Sequence, residues 1–210
     1  MQLVVENLNK KAYDAIKLDI LERRLPAGTK LVDSKLAEQY GISRTPIRDA
    51  LMKLAEEGLV AKATKGYSVF MPSADDIREL FELRLMIDLY TAKTIIEDIL
   101  PKNPEIKNII DEAYHHDPSE DTFVKGDEEF HDALVAITGN TRLVNFYTGI
   151  RNQMRAFRSL TARNHARMNQ ANNYHGKIHQ AIVSRDLPGA EVAIRLHTQL
   201  SMEDALRDFI

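Results

Sequence analysis

The sequence predicts a mainly α-helical protein, with a small N-terminal domain of helices and a hairpin followed by an all-α antiparallel bundle of about six helices. Residues 33–60 contain two short amphipathic segments that flank a glycine. Residues 59–71 contain two short runs of strand character around a polar turn. From Ser73 onward, apolar residues recur at helical spacing, and the breaks fall at prolines or glycines. We therefore expect two domains, residues 1–72 and residues 73–210.

Three helices are predicted in the first domain. The first is amphipathic and covers residues 11–25. Asp33 is a favourable N-cap for a short second helix, and Gly41 supplies the left-handed residue that ends it. Ser43 then caps a third helix, whose first turn accommodates Pro46. Apolar residues at helical spacing form the buried face of this third helix: Ile47, Ala50, Leu51 and Leu54.

The opposite face of the third helix carries two arginines. Arg44, Thr45 and Arg48 lie there, and the two arginines are four residues apart and therefore neighbours. In a helix-turn-helix protein the recognition helix reads base edges with its N-terminal residues, and arginine is the commonest bidentate partner of guanine. The strand-like runs that follow predict the hairpin of a winged helix-turn-helix, with Lys65 at its tip near phosphate. The two arginines are also consistent with a solvated helix face.

The composition is that of an ordinary soluble protein: 44% of the 210 residues are hydrophobic and 28% are charged. No apolar run is long enough to span a membrane, and the N-terminus lacks the layout of a signal peptide, so we expect no membrane partner and a cytoplasmic location. The absence of cysteine excludes disulfides, thiolate metal ligands and cysteine nucleophiles.

The net charge of −3 is divided unevenly between the two predicted domains. Residues 1–72 hold 12 Lys and Arg against 9 Asp and Glu, whereas residues 73–210 hold 16 against 22. The basic domain is therefore the one with the arginine-bearing helix. Its modest positive charge predicts weak nonspecific DNA binding by a single copy, so we expect a homodimer on a pseudo-palindromic site.

The second domain is predicted to be helical throughout. Ser73 caps a long helix that continues to about Leu100, and the first turn of this helix carries Asp75 and Asp76. Five further helices are expected: one through residues 106–113, one containing residues 123–137, and three over about residues 141–164, 165–184 and 187–207.

All seven histidines lie in the second domain. Asp127 and His131 are four residues apart and project from one face of one helix, as a pair of metal ligands should. His175 and His197 lie on two later helices. One aspartate with three imidazoles suits zinc, nickel or manganese. The spacing leaves alternatives open, because Asp127 and His131 are also consistent with a structural pair, and His175 and His179 have the same spacing.

Residues 11–71 contain four short motifs: Pro26-Ala27-Gly28 followed by Leu31, Leu36-Ala37-Glu38, Ser43-Arg44-Thr45-Pro46-Ile47-Arg48-Asp49-Ala50-Leu51 and Glu57-Gly58-Leu59-Val60. Together they resemble the DNA-binding domain of GntR-family transcription regulators. The resemblance implies that Arg44, Thr45 and Arg48 contact the operator and that the wing glycine, Gly66, enters a groove. Ser34 stands where some relatives have an arginine. Ser34 and Lys65 complete the candidate DNA contacts.

A second set of motifs lies in the later helices: Asp127-Glu128-Glu129-Phe130-His131, Gly139-Asn140, His175-Gly176-Lys177-Ile178-His179-Gln180-Ala181-Ile182, Asp186, Ala190 and His197. They resemble the FCD effector domain of the FadR-type branch of the same family, and the six-helix count resembles its VanR-like subgroup. The resemblance implies a divalent transition metal, zinc first with nickel or manganese as alternatives. The implied ligands are Asp127, His131, His175 and His197.

The same resemblance implies an effector site. Arg84 lies where relatives place an inward-pointing arginine, and Arg155 recurs with Arg151 and Arg158 at helical intervals. A buried guanidinium aimed at an open metal position would bind a carboxylate bidentately. We therefore expect a small carboxylate effector that contacts Arg84 and Arg155. As the alternative, Arg84 pairs with Asp88 and the other three arginines form a solvated face.

The sequence thus predicts a DNA-binding transcription regulator, a repressor and not an enzyme, whose operator affinity is controlled by a small organic acid at the metal site. Two alternatives stay open. In the first, the metal is purely structural and a protein partner controls the regulator. The second is a helical metalloenzyme fused to a DNA-binding head; against it, no motif places an additional carboxylate or nucleophile as a general base.

Overall fold

The computed structural model describes the backbone of residues 2–63, 66–114, 123–158 and 165–207, and the side chains of residues 8–63, 66–114, 127–155 and 173–207. The chain divides into two compact units. The first comprises Met1–Pro72 with Asn152–Phe157, and the second comprises Ser73–Arg151 with Arg158–Ile210.

The first unit contains the predicted winged helix-turn-helix. Its elements are α1 (Gln2–Leu21), β1 (Lys30–Leu31), α2 (Asp33–Tyr40), α3 (Arg44–Glu56), β2 (Val60–Lys62) and β3 (Tyr67–Val69). The central strand β3 pairs antiparallel with both β1 and β2, placing Val69 opposite Val60 and Tyr67 opposite Leu31. The sequence pattern does not predict β1, because two residues carry no periodicity and the strand exists through its pairing with β3.

The three helices of this unit enclose one apolar core. The predicted buried face of α3 is confirmed, since its four apolar residues are at most 2% exposed. Residues of α1, including Ile16 and Ile20, pack in the same cluster. Gly41 ends α2 with φ of +65°, as predicted, and Ser43 occupies the N-cap of α3 with extended backbone. The opposite face of α3 is therefore left for solvent.

Two local predictions are wrong. Helix α1 begins nine residues earlier than predicted and ends at Leu21, and the chain turns after it through Arg23 with φ of +60°. Asp33 is not the N-cap of α2: Val32 occupies that position, and Asp33 is the first helical residue. The Asp33 carboxylate is drawn instead into an ion pair with Arg48 of α3.

The second unit is built of helices. Its described α-helices are α4 (Ala74–Thr94), α5 (Ile106–Tyr114), α6 (Phe123–Ile137), α7 (Thr141–Arg158, part of which groups with the first unit), α8 (His165–Val183) and α9 (Leu187–Arg207). Helix α9 packs against both α4 and α8, and a cluster that includes Phe130, Ile178 and Ile194 forms the core. The fold class predicted from the sequence is confirmed.

The long first helix of this unit differs from its prediction. It is α-helical only to Thr94 and continues as a π-helical turn over Ile95–Ile99. Such turns insert an extra residue into a helix and leave no periodic signal in the sequence. The predicted polar connection at residues 115–119 and the end of the predicted helix at residues 159–164 lie outside the described residues.

The N-terminus of α4 is closed by the predicted cap. Ser73 Oγ accepts a hydrogen bond from the Asp76 backbone N–H at 3.1 Å, and the Asp76 carboxylate accepts one from the Ser73 backbone N–H at 2.7 Å. The Ser73 hydroxyl also donates to the Asp76 carboxylate at 2.6 Å, and this bond, together with the one from the Ser73 backbone N–H, lowers the pKa of Asp76. The stabilisation is therefore present at neutral pH and is lost only as the pH falls through that lowered pKa.

We expect Ser73→Ala to lower the free energy of unfolding by about 1 kcal/mol, because the Asp76 backbone N–H loses its acceptor and the Asp76 carboxylate loses the bond from the Ser73 hydroxyl. Urea denaturation at pH 7 measures the change. Ser201→Ala is the control, since it removes a hydroxyl from within α9, where alanine favours the helix. Equal effects of the two substitutions would contradict the role of the cap.

Candidate metal centre and nucleic-acid interface

Four side chains from three helices converge inside the second unit. Asp127 and His131 come from α6, His175 from α8 and His197 from α9. All four are buried, and one ligand atom from each lies within 4.8 Å of the others. The structure thus brings together the four residues that the sequence proposes as ligands.

The distances within this cluster fit a single shared cation. The His175 Nε2 atom lies 3.3 Å from Nε2 of His131 and 3.3 Å from Nε2 of His197. The Asp127 Oδ1 atom lies 3.1 Å from His175 Nε2 and 3.7 Å from His197 Nε2. Ligands held about 2.1 Å from one ion are separated by roughly 3.0 to 3.4 Å in octahedral or tetrahedral geometry. The donor set and its spacing therefore suit a divalent transition metal.

The protonation of the imidazoles favours the same conclusion. Burial lowers the pKa of His131, and the charge of Arg84 lowers it further. The pKa of His197 lies well below its usual value because of burial, the neighbouring His175 and His131, and Arg84. Both rings are consequently neutral at pH 7, which is the form that binds a metal.

Asp88 of α4 orients one of these rings. Its Oδ2 atom lies 3.3 Å from Nδ1 of His131, and the side chain is buried. Burial raises the pKa of Asp88, but the facing His131 and Arg84 outweigh burial and hold this pKa below its usual value. A carboxylate that accepts a hydrogen bond from Nδ1–H leaves the Nε2 lone pair directed at the ligand cluster. Sequence reasoning identified Asp88 only as a partner of Arg84 and missed this contact.

Arg84 reaches the ligand cluster from α4, the helix that also carries Asp88. Its Nε lies 3.4 Å from Oδ2 of Asp88, and its Nη2 lies 3.6 Å from Oδ2 of Asp127 and 3.4 Å from Nε2 of His197. Burial lowers the pKa of Arg84, but the charge of Asp127 and other neighbours raises it overall, so the guanidinium is charged. The sequence left open whether Arg84 pairs with Asp88 or points inward. In the structure it does both.

Four further residues were considered in the sequence for the effector or metal site: Arg151, Arg155, Arg158 and His179. Arg155 is half-buried on α7, in the stretch that groups with the first unit, and its role in an effector site stays a prediction. Arg151 forms an ion pair with Asp132 of α6. The side chain of Arg158 lies outside the described residues. His179 contacts Asp111 of α5 at 2.6 Å and is not a member of the ligand cluster.

The candidate DNA contacts lie on the first unit. Arg44, Thr45 and Arg48 are exposed in the first two turns of α3. Ser34 is half-buried in the first turn of α2. Gly66 adopts φ of +90° in the wing, which is the β2–β3 hairpin, and this conformation strains any other residue. Lys65 lies outside the described residues.

Comparison with known proteins assigns the chain to a family. The model of bacterial regulatory proteins of the gntR family matches residues 8–68, and the FCD domain model matches residues 79–200, more than half of the chain. The chain is a GntR-family transcription regulator with an FCD domain. FCD domains typically bind a metal ion, and the described part of this GntR regulator contains a buried cluster of the appropriate ligands.

Individual relatives agree with this assignment. The HTH-type transcriptional regulator BphR of Paraburkholderia xenovorans is 24% identical over 94% of the regulator and 85% of its own length. The gluconate operon transcriptional repressor of Bacillus subtilis is 23% identical over 72% of the regulator and 63% of its own length. A GntR transcriptional regulator from Rhodococcus sp. RHA1 has the same fold, with a TM-score of 0.75, 19% identity and coverage of 95% and 97% of the two chains.

These matches exclude one of the two functional alternatives. The relatives are named as transcription regulators, so the GntR regulator is not an enzyme and the metalloenzyme alternative is removed. Among its described helices, none is both long and apolar enough to cross a lipid bilayer.

Proposed function

We propose that this regulator is a cytoplasmic repressor of the VanR-like subgroup that binds a pseudo-palindromic operator as a homodimer. A small carboxylate bound beside a divalent metal in the FCD domain controls its operator affinity. The observation that carries the proposal is the convergence of four buried ligand atoms with a buried, charged arginine.

The operator-binding part of the proposal is supported by the exposed face of α3. GntR regulators bind DNA operators and are typically dimers. Arg44, Thr45 and Arg48 present donors at the N-terminal end of the helix, where base edges are read. The charge of +3 on residues 1–72 gives a single copy little attraction for phosphate, so two copies on one site supply the affinity.

The metal-binding part is supported by the chemistry of the donor set. Three imidazoles and one carboxylate are ligands that zinc takes readily, and nickel and manganese are the alternatives. When bound, the cation would supply a Lewis acid for a carboxylate oxygen. The guanidinium of Arg84 suits the carboxylate group of such an effector, because arginine binds a carboxylate in a planar, bidentate manner. We include Arg155 as a further effector contact.

The relatives support the nature of the effector and the sign of regulation. One relative is a repressor of the gluconate operon, which is named for a small carboxylate. For any such effector to release DNA, it must bind one state of the protein more tightly than the other.

One observation favours a second candidate, in which the metal is structural and the regulator answers to a protein partner. The ligands are almost completely enclosed, with His197 1% exposed and Asp127 2% exposed. In this second candidate, the enclosed metal holds α6, α8 and α9 together.

The test measures the affinity of the metal-analysed protein for the intergenic DNA upstream of its own gene, at fixed salt, with and without a panel of small carboxylates. Tight binding that one acid releases is the expected result. Tight binding that no acid changes would favour the structural metal. No specific binding to this DNA would contradict the proposed repressor role at that site.

We expect Arg84→Lys to weaken the response to the carboxylate at least about tenfold while leaving operator affinity without effector unchanged. Lysine keeps the charge that Asp127 and Asp88 require but lacks the planar fork. The measurement is the effector concentration that releases half of the operator DNA. Arg195→Lys, at an exposed position of α9, is the matched control. An unchanged response in Arg84→Lys would remove this residue from the effector site.

A further inference from the structure

The Asp33 carboxylate connects the start of α2 to the exposed face of α3. Its Oδ1 atom accepts a hydrogen bond from the Ser34 backbone N–H at 2.8 Å, and its Oδ2 atom accepts one from the Nε–H of Arg48 at 2.7 Å. The Asp33 side chain is 25% exposed, whereas that of Arg48 is 65% exposed. Asp33 is therefore the anchored partner, and the guanidinium of Arg48 is held out towards solvent.

The contact engages only one edge of the guanidinium. Arginine carries five N–H donors in one plane, and Asp33 accepts the bond from Nε. Within the described residues, no hydrogen bond engages the two Nη groups of Arg48. Two Nη donors side by side are suited to the O6 and N7 atoms of guanine. Fixing Nε in advance also reduces the side-chain freedom that Arg48 would lose on binding DNA.

The carboxylate also changes how Arg48 interacts with phosphate. Nonspecific DNA binding arises from the attraction of cationic side chains to phosphates and does not depend on sequence. A negative charge 2.7 Å from the Arg48 Nε offsets this attraction, while the directional bonds of the Nη edge remain available. The two residues line, with Gly66 and Tyr67, one cleft of about 580 Å³ between α3 and the wing. The ion pair thus lies on the side of α3 that faces the wing.

We propose that Asp33 is a positioning residue that sets operator specificity through Arg48. It holds the Nη edge of Arg48 ready for a guanine. It also offsets the positive charge of Arg48, which would otherwise attract phosphate whatever the DNA sequence. This inference rests on the proposed binding of the operator by α3.

The experiment compares the wild type with Asp33→Asn, which has nearly the same shape and no charge. The probes are a duplex that the wild type selects from a randomised pool and a scrambled duplex of the same length and composition. Fluorescence anisotropy gives both dissociation constants over a range of salt concentrations. We expect the ratio of specific to nonspecific affinity to fall about tenfold. We also expect a steeper salt dependence on the scrambled duplex, by up to about 0.9 in log–log slope per protomer.

Glu38→Gln is the matched control, because it removes the same charge from an exposed position of the same helix and is expected to leave the ratio unchanged. Asp33→Glu, which retains a carboxylate, is expected to keep most of the wild-type ratio. Thermal melting establishes that each variant is folded. If Asp33→Asn changes the ratio no more than Glu38→Gln does, the inference is overturned.

Arg48→Ala separates this inference from the proposed function. We expect Arg48→Ala to lower the ratio by a similar factor, and Asp33→Asn to add nothing in the Arg48→Ala background, because the carboxylate acts through the arginine. An equal loss from Asp33→Asn in both backgrounds would overturn the inference and leave α3 as the reading helix. A ratio unchanged by Arg48→Ala would contradict the proposed role of Arg48 itself and remove the inference with it.

Discussion

The double variant His131→Ala with His197→Ala is expected to purify without bound metal, whereas the wild type retains it through dialysis. Two of the four converging donors are lost, one from α6 and one from α9. A four-ligand protein site gives divalent zinc roughly 10 kcal/mol or more, so the loss of half the donors costs on the order of 5 kcal/mol, or over a thousandfold in Kd. Elemental analysis of the dialysed protein measures the outcome.

His179→Ala is the matched control for this variant. His179 lies one helical turn from His175 on α8, but it contacts Asp111 and stacks on Tyr114. We therefore expect His179→Ala to retain the metal. A chelator should lower the thermal midpoint of the wild type and leave that of the double variant unchanged, because the ion stabilises only a chain that binds it. Undiminished metal in the double variant would refute the ligand assignment.

Arg44→Ala is expected to relax the base specificity of operator binding. Arg44 is the first residue of α3 and is exposed. If its guanidinium reads a guanine, its removal costs about 1 to 3 kcal/mol on the operator and much less on a sequence with that base changed. Competition binding against operators substituted one base pair at a time measures the loss.

The pattern of the loss distinguishes a base contact from a phosphate contact. Loss of a phosphate contact weakens binding to all sequences alike and reduces the salt slope by about one, whereas loss of a base contact removes discrimination at one position. Arg195→Ala, at an exposed position of the FCD domain, is the control for the loss of a positive charge. Operator discrimination that survives Arg44→Ala would remove this residue from the reading face.

The local features of this protein follow from its sequence, because they depend on residues a few positions apart. The apolar face of α3, the turn at Gly41 and the Ser73–Asp76 cap are each set by spacing within one helix or at its end. Helical periodicity also places the arginines of α3 on the side opposite its core. For the same reason, the sequence predicts the helical class of the second domain.

The ligand set was reached in a different way. Spacing relates Asp127 to His131 and His175 to His179, and it does not relate His175 to His197, which lies on another helix. The resemblance to FCD domains selected the four residues that the structure brings together. Residues separated by 44 positions, such as His131 and His175, meet only because α6 and α8 are packed in one orientation.

The sequence by itself determined the two-part fold class and the family, and it predicted the residues that bind DNA and a metal. Only the tertiary structure decided which partners these residues have: Asp88 for His131, Asp33 for Arg48, and β3 for the two residues of β1. Each of these contacts joins separate elements. The physical reason is that helical and turn propensities act within a few residues, whereas contacts between elements depend on how their apolar faces pack.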